Sequence, residues 1–538
     1  RDDIVIRAGG SATIGALAAG TTVDSLSATD SAFSGEALAG SALNGFDVDV
    51  VASGSLTLTN SISTTGVAGN VRLQSTSGAI NQTGGVITTA TLSGSANTSA
   101  SFASQNEVAA LSDFVTGAGL ALSDANGLAI IGAVSTGAGD ATIRTSAGDL
   151  TIASTGGVTG RNIVLSTDQD FINSSGSDAI TAATRWLVYS ATPEGNTFGG
   201  LDSANTAIWN ATVGTKAPGT IAGTHYVFAY QPTLTFTSLD ASKTYGTAST
   251  SSAYGVTGYH CGVVGAFLGD TAGTAFTGVP TLTSVGYAAN PDVAGGPYAI
   301  TIDTGTVASS SGYALSFNSA GQLTVNPKAI TGTVTATDKT YDGNTDATGS
   351  VSLTGVLVGD DVTASALLAF ADANAGNDKT ITISGGSLSG TDAGNYTLSL
   401  PASILADIFR KAITGTVIAD DKTYDGTTTA TGTVNLTGVI AGDEVTAAAL
   451  LAFADANAGN DRTVTISGGS RGGADAGNYT LSLPASTLAN IFQKTITGTV
   501  AADDKTYDGT TTATGTVNLT GVIAGDEVTA SALLAFAD

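Results

Sequence analysis

Oxygen-bearing side chains recur at alternate positions in two short stretches of the C-terminal half. The stretch Asp372-Ala-Asn-Ala-Gly-Asn-Asp378 is repeated from Asp455 to Asp461. Hard cations bind several carboxylate and carbonyl oxygens on such a tight turn. The candidate calcium ligands are Asp372, Asn374, Asp378, Asp455, Asn457 and Asp461. The sixth position is not Gly and no bidentate Glu follows, so a β-turn that uses Asn and Gly for positive φ is the alternative.

Lys339 and Asn395 suggest a second kind of chemistry. Some domains join a Lys to an Asn by a spontaneous isopeptide bond, with help from a buried acid that here would be Asp342 or Asp392. The alternative is a lysine that caps one turn and an asparagine that sits in another. An intact mass that is lower by one ammonia per copy would reveal the bond.

Residues for catalysis or for zinc are scarce. His260-Cys261 supplies half of a tetrahedral zinc site, and the only other histidine is His225. Two histidines in 538 residues exclude a credible Ser/His/Asp triad, and no Gly-rich phosphate loop opens a helix. We predict no enzyme and no catalytic or cofactor-binding residue. Calcium is the one cofactor that the sequence leaves open.

The two candidate calcium-binding stretches, Asp372 to Asp378 and Asp455 to Asp461, belong to a sequence repeat that must position them. Tyr341, Tyr424 and Tyr507 mark three copies of one block at a spacing of 83 residues. A constant period indicates one folding unit that is used several times. We assign the copies to residues 329–411, 412–494 and 495–538, and the third stops partway through a unit, which predicts a longer array.

Each copy alternates apolar residues with threonine and serine. Val334 and its apolar neighbours oppose Thr331, Thr333 and Thr335, which gives one buried and one wet face. The pattern predicts a small antiparallel β-sandwich. The Ala-rich segment 365–370 has helical propensity, but its alternation with period two favours a strand.

The N-terminal third has a different rhythm. Residues 1–180 contain apolar strands of about four residues, such as Asp149-Leu-Thr-Ile-Ala153, separated by Gly, Asn and Asp. A sandwich needs longer strands, whereas a parallel solenoid tolerates short ones because each coil pairs with the coils above and below. The predicted fold is therefore all-β, a right-handed parallel β-solenoid followed by a tandem array of small antiparallel β-sandwich domains.

Aromatic residues mark the end of the predicted solenoid. Residues 181–231 contain Trp186, Trp209 and Tyr226, whose large rings would close the core. The alternative is an aromatic platform that binds sugars. Residues 232–328 form a further β-domain that carries Lys243-Thr-Tyr-Gly246.

Composition and charge exclude several partners. Charged residues make up 12% of the chain and the net charge is −26, so nucleic acid would be repelled. The sequence has no run of 18 apolar residues, so it predicts no transmembrane segment. Cys261 is alone, so no internal disulfide forms and stability must come from sheet packing.

Three motifs resemble known families. The box Lys339-Thr-Tyr-Asp-Gly343, with Gly394-Asn-Tyr396, resembles the YDG repeat of large bacterial exoproteins. The unit with Lys243-Thr-Tyr-Gly246 is similar to the MBG domain, and Trp186-Leu-Val-Tyr-Ser190 to the segment that ends the β-helix of filamentous-haemagglutinin-like proteins. The resemblance implies a secreted or surface adhesin of a Gram-negative bacterium, exported by two-partner secretion.

We therefore expect a non-enzymatic, extracellular adhesin-like rod or fibre for adhesion, biofilm or cell-cell contact, with cell-surface or matrix ligands that include glycans. A self-assembling filament or sheath subunit is the alternative. A β-helical polysaccharide lyase or hydrolase is the third reading, and it would need clustered acids. The acids of the N-terminal third are scattered at turns, as at Asp24, Asp47, Glu107, Asp140 and Asp168.

Overall fold

The computed structural model describes residues 4–15, 17–19, 27–28, 47–64, 69–249 and 253–537. In these ranges nearly every element is a strand, which confirms the all-β prediction. The helical elements are one α-helix, Ala272–Ala275, and the 3-10 turns Pro218–Thr220, Val285–Tyr287, Val293–Gly295, Ala393–Asn395 and Ala476–Asn478. No helix in the described ranges is long and apolar enough to cross a membrane.

The chain divides into two compact units. The first comprises residues 1–243, 247–291 and 295–325, and the second comprises residues 244–246, 292–294 and 326–538. The two short segments of the second unit carry Tyr245, Asp292 and Val293, which contact the first repeat copy.

Parallel strand pairing dominates the first part of the first unit. Cα partners such as Val48, Val71, Leu92, Leu111 and Ile130 follow one another at intervals of 19 to 23 residues. A strand within this series is therefore hydrogen-bonded to the strand before it and to the strand after it, which satisfies its backbone even when it is three residues long.

Three ladders of this kind run side by side. The first contains Ile4–Ala8, Val48–Ala52, Asn70–Ser75, Ile87–Ala96, Ser99–Thr116, Leu128–Ile130, Leu150–Ile152 and Phe171–Asn173. The second contains Ala12–Ile14, Leu56–Leu58, Ile80–Gln82, Ser99–Thr116, Gly119–Asp124, Asp140–Thr145, Gly157–Ser166, Ile180–Ser190 and His225–Phe228. The third contains Leu17–Ala19, Ile62–Thr64, Ile87–Ala96, Ser99–Thr116, Ala133–Ser135, Gly157–Ser166 and Ile180–Ser190. Ser27–Ala28 pairs antiparallel with Ala12–Ile14.

Alternation along these strands places one apolar column inside. Leu56, Ile80 and Leu122 are almost fully buried, and residues that alternate with them, such as Thr57 and Asn81, are partly exposed. The same interior also holds polar groups: Gln82 and Asn106, on the strands Ile80–Gln82 and Ser99–Thr116, exchange hydrogen bonds of 2.8 and 3.2 Å. Satisfied amides of this kind avoid the cost of burying an unpaired polar group.

The aromatic segment packs at the end of these ladders. The rings of Trp186 and Phe198 contact Tyr226 edge-on, at centroid distances of 5.0 and 4.9 Å. One apolar core then continues from the first strands to Tyr313. A buried carboxylate, Asp270, accepts hydrogen bonds from Trp209 at 2.9 Å and from Tyr313 at 2.8 Å, so the aromatic segment and the following domain share their packing.

The domain after the aromatic segment is built from short strands in several small sheets. Thr233–Ser238 lies between Tyr254–Thr257, which is antiparallel to it, and Ala314–Asn318, which is parallel. The remaining strands are Ala241–Thr244, Gly262–Val263, Phe267–Leu268, Phe276–Thr277, Thr281–Thr283, Tyr298–Ala299, Thr301–Asp303, Ala308–Ser309 and Gln322–Asn326.

Two sheets form each complete repeat copy in the second unit. The first copy contains Lys328–Ala336, Lys339–Thr340, Gly349–Thr354, Thr363–Phe370, Gly376–Ser389, Tyr396–Ser399 and Ser403–Phe409. The second contains Lys411–Ala419, Lys422–Thr423, Thr429–Ala430, Gly432–Thr437, Thr446–Phe453, Gly459–Gly472, Tyr479–Ser482 and Ser486–Phe492. The third contains Thr497–Ala502, Thr512–Ala513, Gly515–Thr520 and Leu534–Ala535.

The prediction that these copies are purely antiparallel is wrong. Lys328–Ala336 pairs antiparallel with Gly349–Thr354 but parallel with Tyr396–Ser399, and Lys339–Thr340 pairs parallel with Ser403–Phe409. The chain returns to the opening strand after the 3-10 turn Ala393–Asn395 and runs beside it in the same direction. Thr363–Phe370 is a strand, as its alternation predicts.

Candidate functional site

The Lys-Thr-Tyr-Asp-Gly box forms a tight turn that its lysine ties together. Lys339 makes a 2.7 Å ion pair with Asp342 and donates to the backbone oxygens of Asn344 and Asp346 at 2.8 and 3.0 Å. Its ammonium lies 5.5 Å from the ring centre of Phe370. The second and third copies repeat the ion pair at 2.6 and 3.0 Å, so this local role of the lysine is shared by all copies.

The glycine of the box has a backbone conformation that other residues rarely adopt. Gly343 has a φ of +83°, in the left-handed region that favours glycine. A Cβ atom at this position would lie 3.6 Å from Ile440 of the next copy. The turn therefore favours glycine because of its backbone conformation, while an added Cβ would make only ordinary van der Waals contact with the next copy.

The tyrosine of the box reaches out of its own copy. Tyr341 donates a 2.9 Å hydrogen bond to Asp443 of the next copy. Tyr479, also in the next copy, donates to the same carboxylate oxygen at 2.5 Å, and its own hydroxyl accepts from the backbone N–H of Ile440 at 3.0 Å. The two tyrosine rings meet edge-on with centroids 5.5 Å apart. One carboxylate thus joins two phenols from adjacent copies.

The same arrangement occurs at the start of the array. Tyr245 and Tyr396 both donate to Asp360, at 2.9 and 2.5 Å, and their rings are 5.5 Å apart. Between the second and third copies Tyr424 donates to Asp526 at 2.8 Å. The junction is therefore a recurring feature of the second unit.

A second contact between the first and second copies comes from the predicted calcium loop. The backbone N–H of Ala375 donates to Asn478 of the next copy at 2.8 Å, and the Asn478 amide donates to Asn374 at 3.3 Å. At the start of the array Val293 and Asp292 make the equivalent contacts to Asn395, at 2.8 and 3.1 Å. Asn395 and Asn478 are 4% exposed, so these amides are partners in a buried contact.

The acids of that loop have protein partners. Asp372 makes a 2.6 Å ion pair with Lys379 and accepts a 2.9 Å hydrogen bond from the backbone N–H of Asn374. The contact with the lysine lowers the pKa of the Asp372 carboxyl. Asp378 has a φ of +51°, and its N–H donates to Asp407 at 2.8 Å.

The second copy repeats these contacts. Asp455 forms an ion pair with Arg462 and accepts a 2.8 Å hydrogen bond from the backbone N–H of Asn457. The N–H of Asp461 donates to Asn490 at 2.9 Å. Throughout the described ranges, no three His, Cys, Asp or Glu side chains are grouped so as to hold a metal ion. Calcium binding stays a prediction.

Lys339 and Asn395 have separate hydrogen-bond partners. Lys339 is bound to its own turn, and Asn395 faces Asp292 and Val293. Asp342 is the ion-pair partner of Lys339, and Asp392 accepts from the N–H of Asp361 at 2.8 Å. The isopeptide bond stays a prediction, with intact mass as its test.

The remaining candidate residues are dispersed. His260 lies against Trp209 at a centroid distance of 4.6 Å, and burial lowers the pKa of its imidazole. Cys261 is exposed. In the N-terminal third Asp140 pairs with Arg161 at 2.9 Å, Glu107 accepts from Thr88 at 3.2 Å, and Asp24 lies outside the described residues.

Apolar packing completes the junction between the first and second copies. Tyr341, Phe370 and Ile408 of the first copy share one cluster with Ile413 and Tyr479 of the second. Because a unit of about 80 residues buries a smaller fraction of its surface than a larger domain does, a core shared across the junction supplies stability that one copy lacks. The Arg410 side chain adds a 2.8 Å hydrogen bond to the backbone oxygen of Gly477.

Electrostatics keep the phenols protonated. Burial, together with the hydrogen bond to Asp443, raises the pKa of Tyr341 to about 12, and burial likewise raises the pKa of Tyr479. At neutral pH both hydroxyls are therefore donors to the carboxylate. Chemically, this arrangement holds two surfaces together.

Sequence reasoning used the tyrosines only as landmarks and missed their carboxylate partners. Asp360, Asp443 and Asp526 recur at the same 83-residue spacing as the tyrosines. That recurrence was the available signal, but the contact joins residues 102 positions apart. The presence of a tyrosine or an aspartate in the sequence does not indicate a partner at such a distance along the chain.

Comparison with known proteins identifies one family in the second unit. The family model of the YDG domain matches residues 326–404 and 410–488. No curated protein matches the chain. The two matched segments follow the first two structural copies closely. Residues 326–488 therefore contain two tandem YDG domains.

Proposed function

We propose that the protein is a non-enzymatic, adhesin-like structural protein of the extracellular space or outer surface of a Gram-negative bacterium, in which the tandem copies form an extended rod. The observation that carries the proposal is the junction, in which tyrosines from two neighbouring segments share one aspartate at successive positions in the array.

A recurring joint suits a spacer. Each complete copy carries both halves of the contact. The first copy has Tyr341 at one edge and Asp360 and Tyr396 at the other, so units of one kind add in one way. Nearest-neighbour contacts of this type are typical of repeat arrays, whose length grows with copy number. A catalytic site would be needed once and gains nothing from repetition.

The architecture proposed for the whole chain follows the pairing of its strands. Residues 1–180 form a right-handed parallel β-solenoid, which is supported by parallel partners at intervals of 19 to 23 residues. Residues 181–231 close its end, residues 232–328 form an MBG-like domain, and each YDG copy is a small sandwich of two sheets. Export by two-partner secretion is part of the same proposal.

Hydroxyl-rich sheet faces are the proposed ligand surface. In the first copy the outer face of one sheet carries three threonines opposite three further hydroxyl residues, and all six are exposed: Thr331, Thr333, Thr335, Ser350, Ser352 and Thr354. Such a face lacks charge in a protein whose net charge is −26. Cell-surface or matrix ligands that include neutral glycans fit this chemistry, because their hydroxyls exchange hydrogen bonds with it.

Small-angle scattering and negative-stain microscopy of the full chain test the rod. We expect elongated single particles, and a compact particle would contradict the proposal. Polymers would support the alternative of a self-assembling filament. Binding of the same protein to cells and to a glycan array, with a Thr331→Lys/Thr333→Lys/Thr335→Lys variant as control, tests the ligand surface. Equal binding by both proteins would exclude this face.

A further inference from the structure

We propose that each complete junction is a site of oxidative cross-linking, at which a dityrosine bond forms between Tyr341 and Tyr479 and between Tyr245 and Tyr396. The bond would lock neighbouring segments covalently under one-electron oxidation. This inference does not depend on adhesion, because it concerns the chemistry of the joint itself.

The rings are held close to each other in advance. In both junctions the centroids are 5.5 Å apart and the planes are inclined by 77 or 78°. Both hydroxyls of a pair donate to a single carboxylate oxygen, so the ring carbons that flank the hydroxyls face the same region. Tyr341 is 4% exposed and Tyr479 is 0% exposed, which restricts other encounters of a radical on either ring. Two reactants that are fixed in this way react as one molecule, with a high effective concentration.

The shared aspartate supplies a proton acceptor. A phenol that loses an electron becomes strongly acidic and must lose its O–H proton, and a carboxylate at hydrogen-bond distance accepts that proton. Asp443 lies 2.5 Å from the Tyr479 hydroxyl and 2.9 Å from the Tyr341 hydroxyl. Each pair therefore has its base in place, and the proton passes from there to solvent.

The step balances with a peroxide as the oxidant. Each phenol gives up one electron and its O–H proton. The two phenoxyl radicals then form one C–C bond between carbons ortho to the oxygens, and each ortho hydrogen moves to the adjacent oxygen as the rings become aromatic again. In total two electrons and two protons leave the protein. Hydrogen peroxide would take them and become two molecules of water.

The chain contains a matched control. Tyr424 donates to Asp526 at 2.8 Å, like its counterparts, but within the described residues it makes no ring contact with a second tyrosine. Tyr507 is 94% exposed and has neither the aspartate nor a second ring in the described part of the chain. In a chain of these 538 residues both should therefore be oxidised without forming an intramolecular link.

Photo-oxidation of the full chain at low protein concentration tests the proposal. A ruthenium sensitiser with persulfate, a peroxide, supplies the one-electron oxidant, and tryptic peptides are analysed by mass spectrometry. Tyr341 and Tyr479 fall on different tryptic peptides because Lys379, Arg462 and Arg471 separate them. We expect two linked peptide pairs, one for each junction, each lighter by two hydrogens than the sum of its peptides, together with dityrosine fluorescence.

Two variants make the outcome decisive. Tyr341→Phe should abolish its own linked pair and leave the Tyr245–Tyr396 pair, which also shows that the variant is folded. Asp443→Asn should lower the yield at its junction relative to the other. Linked pairs that are absent while Tyr424 or Tyr507 is oxidised, or that form equally in urea-unfolded protein, would overturn the proposal.

Discussion

A single tyrosine hydroxyl at each junction is expected to contribute measurably to stability. Replacing Tyr341 by Phe removes its hydrogen bond to Asp443 and leaves that carboxylate with one phenol fewer. Hydrogen bonds to charged groups contribute about 1.5–3 kcal/mol, so we expect the free energy of unfolding of the second unit to fall by about that amount. Urea unfolding followed by circular dichroism measures the change. Tyr507→Phe, at a 94% exposed tyrosine, is the control, and equal losses in both variants would contradict this role.

The same hydroxyl makes the junction sensitive to alkali. The pKa of Tyr341 is raised to about 12, whereas the unfolded phenol ionises at its usual pKa of about 10. The folded state therefore holds this proton more tightly, so the contribution of Tyr341 is complete below pH of about 10 and is lost as the pH rises towards about 12. We expect the melting temperature to fall more steeply over this range in the parent protein than in Tyr341→Phe. Parallel curves of melting temperature against pH in the two proteins would contradict this role of the Tyr341 hydroxyl.

Backbone conformation at the box glycine gives another prediction. Gly343→Ala places a methyl group where space exists, since the nearest atom of Ile440 would be 3.6 Å away, but a φ of +83° disfavours any L residue. We expect a loss of about 1–2 kcal/mol in the free energy of unfolding. Gly394→Ala is the matched control, because Gly394 has a conformation open to alanine and nothing within 4 Å of the added carbon. A neutral Gly343→Ala would show that the turn relaxes.

At the scale of elements, the loop 372–378 is hydrogen-bonded to the next copy. Asn478 accepts from the N–H of Ala375 and donates to Asn374 in a buried position. Asn478→Ala leaves the N–H of Ala375 without its acceptor, which costs about 1–3 kcal/mol. Thermal melting of the full chain should show a lower transition for the second unit. Asn435→Ala, at an exposed strand position, should melt like the parent protein. A similar loss of stability in this variant would argue against a stabilising role of the hydrogen bonds between the loop and Asn478.

The elements themselves were largely predictable from the sequence. Alternation of period two predicted the strand Thr363–Phe370 against its helical propensity, because Leu368 and Phe370 face the core. The parallel pairing of Lys328–Ala336 with Tyr396–Ser399 was missed, since periodicity fixes which face is buried but not which strand lies beside it. The loop 372–378 was predicted as a cation site or a turn. Its role in the junction depends on Asn478, a residue in another copy.

For the whole molecule, each copy should be removable as a unit. Deletion of residues 412–494 takes out one 83-residue period and brings Tyr341 to the position that Tyr424 occupies opposite Asp526. We expect the second unit of the shortened chain to melt cooperatively near the parent temperature, because arrays are stabilised by nearest-neighbour contacts. Differential scanning calorimetry measures this. Deletion of residues 412–453 breaks the period and should remove the transition of that region, and equal behaviour of the two deletions would contradict a modular joint.

The direction of the opening strand of each copy has a mechanical consequence. Lys328 to Thr331 lie beside Tyr396 to Ser399 and run the same way. A tensile load along the chain would enter at the start of the opening strand and leave through the last strand, Ser403–Phe409, whose parallel partner Lys339–Thr340 directly follows the opening strand. The parallel neighbours in both sheets would therefore be drawn in opposite directions along their length. The evenly spaced rungs between parallel strands would then carry the load together and not break one after another. Each YDG domain should therefore resist stretching better than its small size suggests.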